Sequence, residues 1–287
     1  IGVVGVQFLV DGTPVGDEAT KSPFTITWSS LSVSNGQHSI QARARDAAGN
    51  VATSTARTIT VSNAAGNVGL VGYWKFNEKT GTQAADSSGN GGTITLQPGV
   101  EWTTGIDGAA VQFNGTTTVY AQAPDSPALR LSGRAAISLW VKHTALPADK
   151  GLMYYLEKGA DDHDNYAVGA YTVSGETRLF FEFEATGGSY RQVRQTAGQT
   201  LQTGAWTHVA VVFDEATDRV RFYIGGKEVA SVAETGSMNS KITAPLTIAR
   251  ENFAGYEWPF NGAMDELRIY NRVVTAAEIE ELIKSGP

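Results

Sequence analysis

Apolar and polar residues alternate along much of this 287-residue chain, and that period of two predicts strands. Val6, Phe8 and Val10 alternate into the turn pair Asp11-Gly12, and Phe24, Ile26 and Trp28 repeat the pattern. From Asn35-Gly36 the positions His38, Ile40, Ala42 and Ala44 run to a turn at 46–50, and a β-branched stretch over 53–61 follows. Beyond Leu70, strand patterns recur at 72–77, 91–96, 109–114, 117–121, 137–142, 166–172, 178–184, 191–195, 208–213, 219–224 and 246–250. The last strand is predicted over 264–270, between Asn261-Gly262 and Asn271. A helix is signalled at the end. Thr275 and Glu278 form a capping box, Val274 and Ile279 the matching staple, and Gly286-Pro287 the stop. These patterns predict an all-β chain: a strand-rich block over 1–62, a linker at 63–67, and a large two-sheet jelly roll over 68–287 with one short C-terminal helix.

Composition sharpens this. Gly is abundant at 32, charged residues make up 18 % and aromatics 9 %, which suits short strands and tight turns. The net charge is -7, and residues 1–62 hold four basic and four acidic side chains, so the whole excess lies in the second block. An acidic balance argues against a nucleic-acid partner, and no apolar run is long enough for membrane insertion. With no cysteine, disulfides, thiolate catalysis and Cys-type zinc sites are excluded. The opening Ile1-Gly-Val-Val-Gly has no signal-peptide pattern and reads as the interior of a longer protein.

Two resemblances follow from particular motifs. Val6-Gln-Phe-Leu-Val-Asp-Gly12, Asn35-Gly-Gln-His-Ser-Ile40 and Ala44-Arg-Asp-Ala-Ala-Gly-Asn50 resemble bacterial immunoglobulin-like repeats. Such domains carry two more strands before this point. The first block is therefore expected to be an incomplete sandwich, trimmed at its start or completed by an upstream segment or another chain. Residues 68–285 resemble the laminin-G-like, concanavalin A-like lectin/glucanase superfamily in its bacterial form. The carriers are Val71-Gly-Tyr-Trp-Lys-Phe-Asn-Glu78, Ala85-Asp-Ser-Ser-Gly-Asn90, Val111-Gln-Phe-Asn-Gly115, Ile137-Ser-Leu-Trp-Val141, Trp206-Thr-His-Val-Ala210, Phe222-Tyr-Ile-Gly-Gly-Lys227 and Met264-Asp-Glu-Leu-Arg-Ile-Tyr270. The resemblance implies a concanavalin A-like fold and an extracellular or cell-surface setting. It also implies a structural calcium ion tying an early loop to the last strand, with Asp86 and Asn90 facing Asp265. On alternation alone, Asp265 shares the buried face of Leu267 and Ile269 and needs such compensation. The competing reading gives Asp86 an Asx-turn and Asp265 backbone N–H partners.

Other residues bear on function. The loop over 157–166 is dense in oxygen, and Asp161, Asp162, Asp164 and Asn165 offer a second calcium site, sugar contacts or a solvated acidic turn. Phe253, Tyr256, Trp258 and Phe260 crowd a Gly/Pro-marked segment, where Tyr256 and Trp258 suit stacking on sugar rings. Glu182 and Glu184 stand two apart on one strand, as in related glucanases, but Phe183 and Ala185 depart from that pattern. A cross-strand pair of Glu184 with Arg191 is the simpler expectation. No histidine pair has metal-ligand spacing, and no Ser–His–Asp signature is present. The chain is thus expected to be a non-catalytic, calcium-stabilised module of a larger secreted or surface bacterial protein. It would bind a polysaccharide or glycoconjugate, or mediate adhesion. The alternatives are a structural spacer or protein-interaction module, and a polysaccharide-degrading enzyme.

Overall fold

The structure, a computed structural model, describes residues 2–28, 30–33, 36–61, 67–161 and 163–284. Asn35, Asp162, the helix stop Gly286-Pro287 and all of the predicted linker except Asn67 lie outside the described residues. The chain divides into two compact units, Ile1–Gly69 and Leu70–Pro287.

The first unit is a single antiparallel sheet of β1 (Val3–Val10), β2 (Thr13–Ala19), β3 (Gly36–Asp46), β4 (Val51–Thr53) and β5 (Arg57–Val61). Its order is β2-β1-β3-β4, with β5 also pairing β3. The alternation at Phe24, Ile26 and Trp28 does not make a strand. Those side chains instead line an apolar cleft of about 290 Å³ with Phe8, Val15 and Ile40. The stretch over 53–61 is broken into β4 and β5, and His38, nearly buried, is held by Asp11 at 2.5 Å.

The second unit continues in chain order with β6 (Leu70–Trp74), β7 (Gln83–Ala84), β8 (Ile94–Leu96), β9 (Glu101–Thr104), β10 (Ala109–Asn114), β11 (Ala121–Ala123), β12 (Arg134–His143) and β13 (Leu152–Ala160). Then come β14 (His163–Val173), β15 (Glu176–Ala185), β16 (Ser189–Arg194), β17 (Thr207–Asp214), β18 (Arg219–Ile224), β19 (Lys227–Ala233), β20 (Leu246–Ile248), β21 (Asn261–Tyr270) and the helix α1 (Ala276–Lys284). They form two eight-stranded sheets. The front sheet runs β19-β18-β17-β12-β21-β10-β9 with β6 also on β21; the back sheet runs β16-β15-β14-β13-β20-β11-β8-β7. Side chains from both sheets, among them Trp74, Phe113, Leu139, Phe181, Phe213 and Leu267, close one continuous core. This is the two-sheet jelly roll that the motifs imply.

The capping box forms as read: Glu278 donates its N–H to Thr275 Oγ1 at 3.3 Å, and Thr275 donates back to Glu278 Oε2 at 2.8 Å. Ile279 and Leu282 bury the helix against Ala210, Val212 and Tyr270 on the outward face of the front sheet. No helix among the described residues is long and apolar enough to cross a membrane.

Strand β21 departs from plain alternation. Met264 stands opposite Val141 and Asp265 opposite Trp140, but the next pair is Arg268 with Ser138. Glu266, at φ 54, supplies the extra residue of a β-bulge. Leu267 and Ile269 face the core, whereas Asp265 falls on the side of Trp140. The shared face predicted for these three residues is therefore corrected: the bulge resets the period. Beyond it lies a buried cluster. The Arg268 guanidinium sits 4.1 Å from the centroid of the Tyr73 ring and donates to its hydroxyl at 2.6 Å. That hydroxyl donates to Glu266 at 2.7 Å, and Arg268 pairs directly with Glu266, both side chains being more than nine-tenths buried.

Candidate functional site

The residues expected to bind calcium are distributed over two turns. Asp86 opens a turn pinned to β6, and its two oxygens accept five donors. These are the N–H groups of Tyr73, Ser88, Asn90 and Gly91 and the Ser88 hydroxyl, at 2.7–2.9 Å. The Asn90 amide donates to the Ser88 and Leu70 carbonyls. A carboxylate surrounded by donors has few lone pairs left for a cation, so Asp86 and Asn90 do not fit a calcium bridge. Asp265 sits elsewhere. Strand β21 changes its neighbour from β10 to β6 between Met264 and Leu267. There the Asp265 carboxylate accepts N–H groups from Ile106 at 2.8 Å, Asp107 at 3.3 Å and its own neighbour Glu266 at 2.8 Å. Burial pushes its pKa up to about 7 against these hydrogen bonds. The same turn gathers other oxygens. A Cβ on Gly105 would lie 2.2 Å from the Ala109 carbonyl and 2.4 Å from Asp265 Oδ2, and one on Gly108 would lie 2.3 Å from Asn77 Oδ1.

The oxygen-rich stretch over 157–166 is a strand end and a strand start, not a long loop. β13 and β14 pair directly from Leu152 with Tyr171 to Ala160 with His163. Sequence reasoning missed β13 because this central strand is buried on both faces and shows no alternation. Asn165, expected to touch a ligand, is fully buried. Its amide holds the Leu131 N–H and carbonyl at 2.7 and 2.8 Å and the Asn239 carbonyl at 3.2 Å, so it is a structural clamp. Asp164 is also buried, against Glu157.

The outward face of the back sheet is where polar chemistry concentrates. Phe181 and Phe183 point into the core, so the alternate positions Phe180, Glu182 and Glu184 point out. Tyr154 donates to Glu182 Oε2 at 2.6 Å, and the Gln192 amide and Tyr190 hydroxyl also bond this carboxylate. Burial raises the Glu182 pKa to about 7. Next to it, Glu157 accepts the Asn252 N–H and shares a hydrogen bond with Asp164, and burial plus the Asp164 charge push its pKa well above the usual range. Only glycine suits position 159, since a Cβ there would lie 2.1 Å from Asp164 Oδ1 and 2.8 Å from Glu157 Oε1. Glu251, almost buried, acts electrostatically on Glu157, Tyr154 and Tyr190.

Exposed aromatic rings occur on this sheet and on the loop beside it. Among the described residues the large aromatics that stay exposed are Tyr190 at 49 %, Tyr256 at 57 % and Trp258 at 37 %. The 251–260 loop is fixed by the Glu251 N–H on the Glu257 carbonyl at 2.7 Å, and Trp258 accepts the Tyr154 N–H at 3.0 Å. Tyr256 stacks on Phe253 at 5.2 Å, Phe260 enters the core, and Trp258 holds a left-handed φ of 36. Backbone held in that region concentrates at binding sites. Sequence reading found Tyr256 and Trp258 but not Tyr190, whose only signal was its place after the hairpin turn.

The carboxylate pair weighed for catalysis is placed differently from expectation. Glu184 stands opposite Tyr190, not Arg191, and accepts from His163 at 2.6 Å and Asn239 at 2.7 Å. The His163 hydrogen bond holds its pKa below the usual carboxylate range. Arg191 faces Phe183 and approaches Glu234 at 3.6 Å. Glu182 has no exposed surface.

Comparisons with known proteins match each unit to a family. Residues 113–280 match the family model of the concanavalin A-like lectin/glucanases superfamily, and residues 1–42 match that of a bacterial Ig domain. A search of curated proteins finds no match. Among solved structures, domain 4 of AbnA, an extracellular arabinanase of Geobacillus stearothermophilus in complex with arabinotriose, is similar at 24 % identity and TM-score 0.59, over 75 % of this chain and 98 % of that one. The binding domain of botulinum neurotoxin serotype G is similar at 13 % identity and TM-score 0.59, over 75 % of this chain and 51 % of its own. The binding domain of Paraclostridial Mosquitocidal Protein 1 follows at 16 % and 0.58, over 76 % and 52 %. The chain thus spans about half the length of these two toxin domains. At these identities the likeness is one of fold.

Proposed function

The chain belongs to the concanavalin A-like lectin/glucanase superfamily, and on that premise we propose that its second unit is a non-catalytic carbohydrate-binding module of a secreted or surface bacterial protein. The observation that carries this reading is the exposed Tyr190, bonded to the buried Glu182 beside Tyr154, together with the exposed Tyr256 and Trp258 on the loop whose backbone bonds Tyr154. Such rings stack on the apolar faces of sugars, while amides such as that of Gln192 at the rim meet hydroxyls. The arabinotriose complex of the similar arabinanase domain supports the reading without assigning this chain's ligand. In a glycan-array or pull-down assay, Trp258→Ala and Tyr190→Ala are each expected to weaken retention by about tenfold. The melting temperature of Trp258→Ala should stay near that of the parent, because exposed side chains contribute little to stability, whereas Tyr190→Ala also removes a hydrogen-bond partner of the buried Glu182. If a broad array retains nothing, the module is a spacer instead. Hydrolysis of laminarin, agar or alginate that is lost in Glu182→Gln would establish the enzyme reading.

Calcium stabilisation is proposed for the 105–109 turn and not for the turn at Asp86. Asp265, which accepts three N–H groups against the five donors at Asp86, and the Ala109 carbonyl would hold the ion, which supplies the positive charge that a buried carboxylate otherwise lacks. Addition of EDTA is expected to lower the melting temperature by several degrees, and Asp265→Asn to remove that difference. An unchanged melting curve with EDTA excludes the ion.

A further inference from the structure

We propose that the edge of the back sheet binds acidic glycans, with a sugar ring on Tyr190 and a sugar carboxylate on the Arg194 guanidinium. The proposal rests on the sugar-binding reading of that face and names the class of sugar it takes. Tyr190, Gln192 and Arg194 stand opposite Glu184, Glu182 and Phe180, so all three belong to one outward row of β16, the edge strand of the sheet. Tyr190 and Arg194 are both exposed. The guanidinium is held from two sides. Its Nε donates to Gln192 Oε1 at 2.6 Å, and its central carbon lies 4.7 Å from the centroid of the Tyr171 ring. The Gln192 amide is itself fixed, because its nitrogen donates to the buried Glu182. Among the described residues no carboxylate pairs with Arg194, whereas the neighbouring Arg178, opposite Tyr171, is paired with Glu176 at 2.6 Å.

An exposed cation that is oriented but unpaired keeps its terminal Nη groups for a ligand. Those two nitrogens donate in parallel, the geometry that a planar carboxylate accepts. Because the side chain is already ordered, little of its freedom is lost when the ligand arrives. The row also has a direction. At about 3.3 Å per residue, Tyr190 and Arg194 stand about 13 Å apart along the strand, the reach of an oligosaccharide and not of a single sugar. Glu184, opposite Tyr190, is held below the usual carboxylate range by His163, so it stays charged and repels an anion at that end. Glu182, opposite Gln192, is wholly buried and its pKa is raised to about 7, so below neutral pH it opposes an anion only weakly. The ligand carboxylate therefore belongs at the Arg194 end. The net charge of -7 acts over longer distances and is screened within about 8 Å at physiological salt, so the direct contact decides.

The test begins with an array of neutral and uronate-bearing oligosaccharides offered to the full chain. The best-retained uronate compound is then compared, by titration calorimetry, with its carboxyl-reduced form, in which each carboxylate has become a primary alcohol. The acidic form is expected to bind at least about tenfold tighter, a gap that shrinks at high salt. Arg194→Met should bring the two forms within about threefold of each other by weakening the acidic one alone. Arg194→Lys should restore part of the gap, since an ammonium keeps the charge without the fork. Tyr190→Ala should weaken both forms alike. Arg194 is exposed, so the melting curves of its variants should match that of the parent. Retention of neutral glycans only, equal binding of the two forms, or a gap unchanged in Arg194→Met overturns the proposal and leaves the sugar-binding reading standing. An array that retains nothing removes that reading and the proposal with it.

Discussion

Replacing Arg268 by Met is expected to destabilise the second unit by about 3–5 kcal/mol, the cost of leaving a buried charge without its partner. Arg268 and Glu266 are 8 % and 4 % exposed, and the Tyr73 hydroxyl bridges them. Without the guanidinium, the Glu266 carboxylate keeps only the phenol, in a site closed to water. The second substitution is the informative one. Glu266→Gln in the Arg268→Met background removes the stranded charge and is expected to recover more than half the loss. Urea unfolding of the two variants measures both numbers. A loss below about 1 kcal/mol for Arg268→Met would mean that the pair is solvated in solution and contributes as little as a surface pair.

Stability should also rise as the solution becomes mildly acidic, against the habit of most proteins. The folded-state pKa of Glu182 is raised by burial from 4.5 to about 7, and that of Glu157 moves the same way. Between these limits the folded chain binds more protons than the unfolded one, so its stability falls as pH rises through the window. For Glu182 alone the span from 4.5 to about 7 corresponds to roughly 3 kcal/mol, at about 1.4 kcal/mol per pH unit. Carboxylates held below their usual range, such as Asp125 beside Arg130 and Glu184 beside His163, act oppositely at lower pH. The buried His143 and His208, lowered from 6.5 to about 4 and about 3, also act oppositely, but only below pH 6.5. The melting temperature is therefore expected to decline from pH 6.5 toward pH 8, and Glu182→Gln to lessen that decline. A profile that rises from pH 6.5 to pH 8 would sink the account.

Much of the fold was legible because one-sided strands alternate and because caps and turns use few residue types. The strands around Val111, Ile137, Val209 and Phe222 and the capped helix emerged from those rules. β13 did not, since a strand covered on both faces has no period to detect, and its Glu157-Lys-Gly159 reads as a loop. That error propagated: it turned Asp164 and Asn165 into loop ligands, when one belongs to a buried carboxylate pair and the other is a clamp. At Asp265 the burial was predicted and the face was not, because a bulge is a single-residue event that alternation has no means to register. The aromatic loop was found from local crowding. Tyr190 and Gln192 were not, because what brings them to Glu182 is the pairing of β16 with β15.

The order of strands in the back sheet has one more consequence. β13, β14, β15 and β16 are consecutive in the chain and adjacent in space, so Tyr154, Glu182, Tyr190 and Gln192 all come from one uninterrupted meander. One further loop, over 251–260, completes the face. Asp265, Arg268 and the other residues that secure the last strand belong to the opposite sheet. The outward residues of one sheet thus come from one stretch of chain and the last-strand residues from another. The same stretch sends Tyr155, Tyr166, Phe181 and Phe183 into the shared core, so an exchange of the 152–194 segment moves the outward face as a unit only if its core side chains are matched to the opposite sheet.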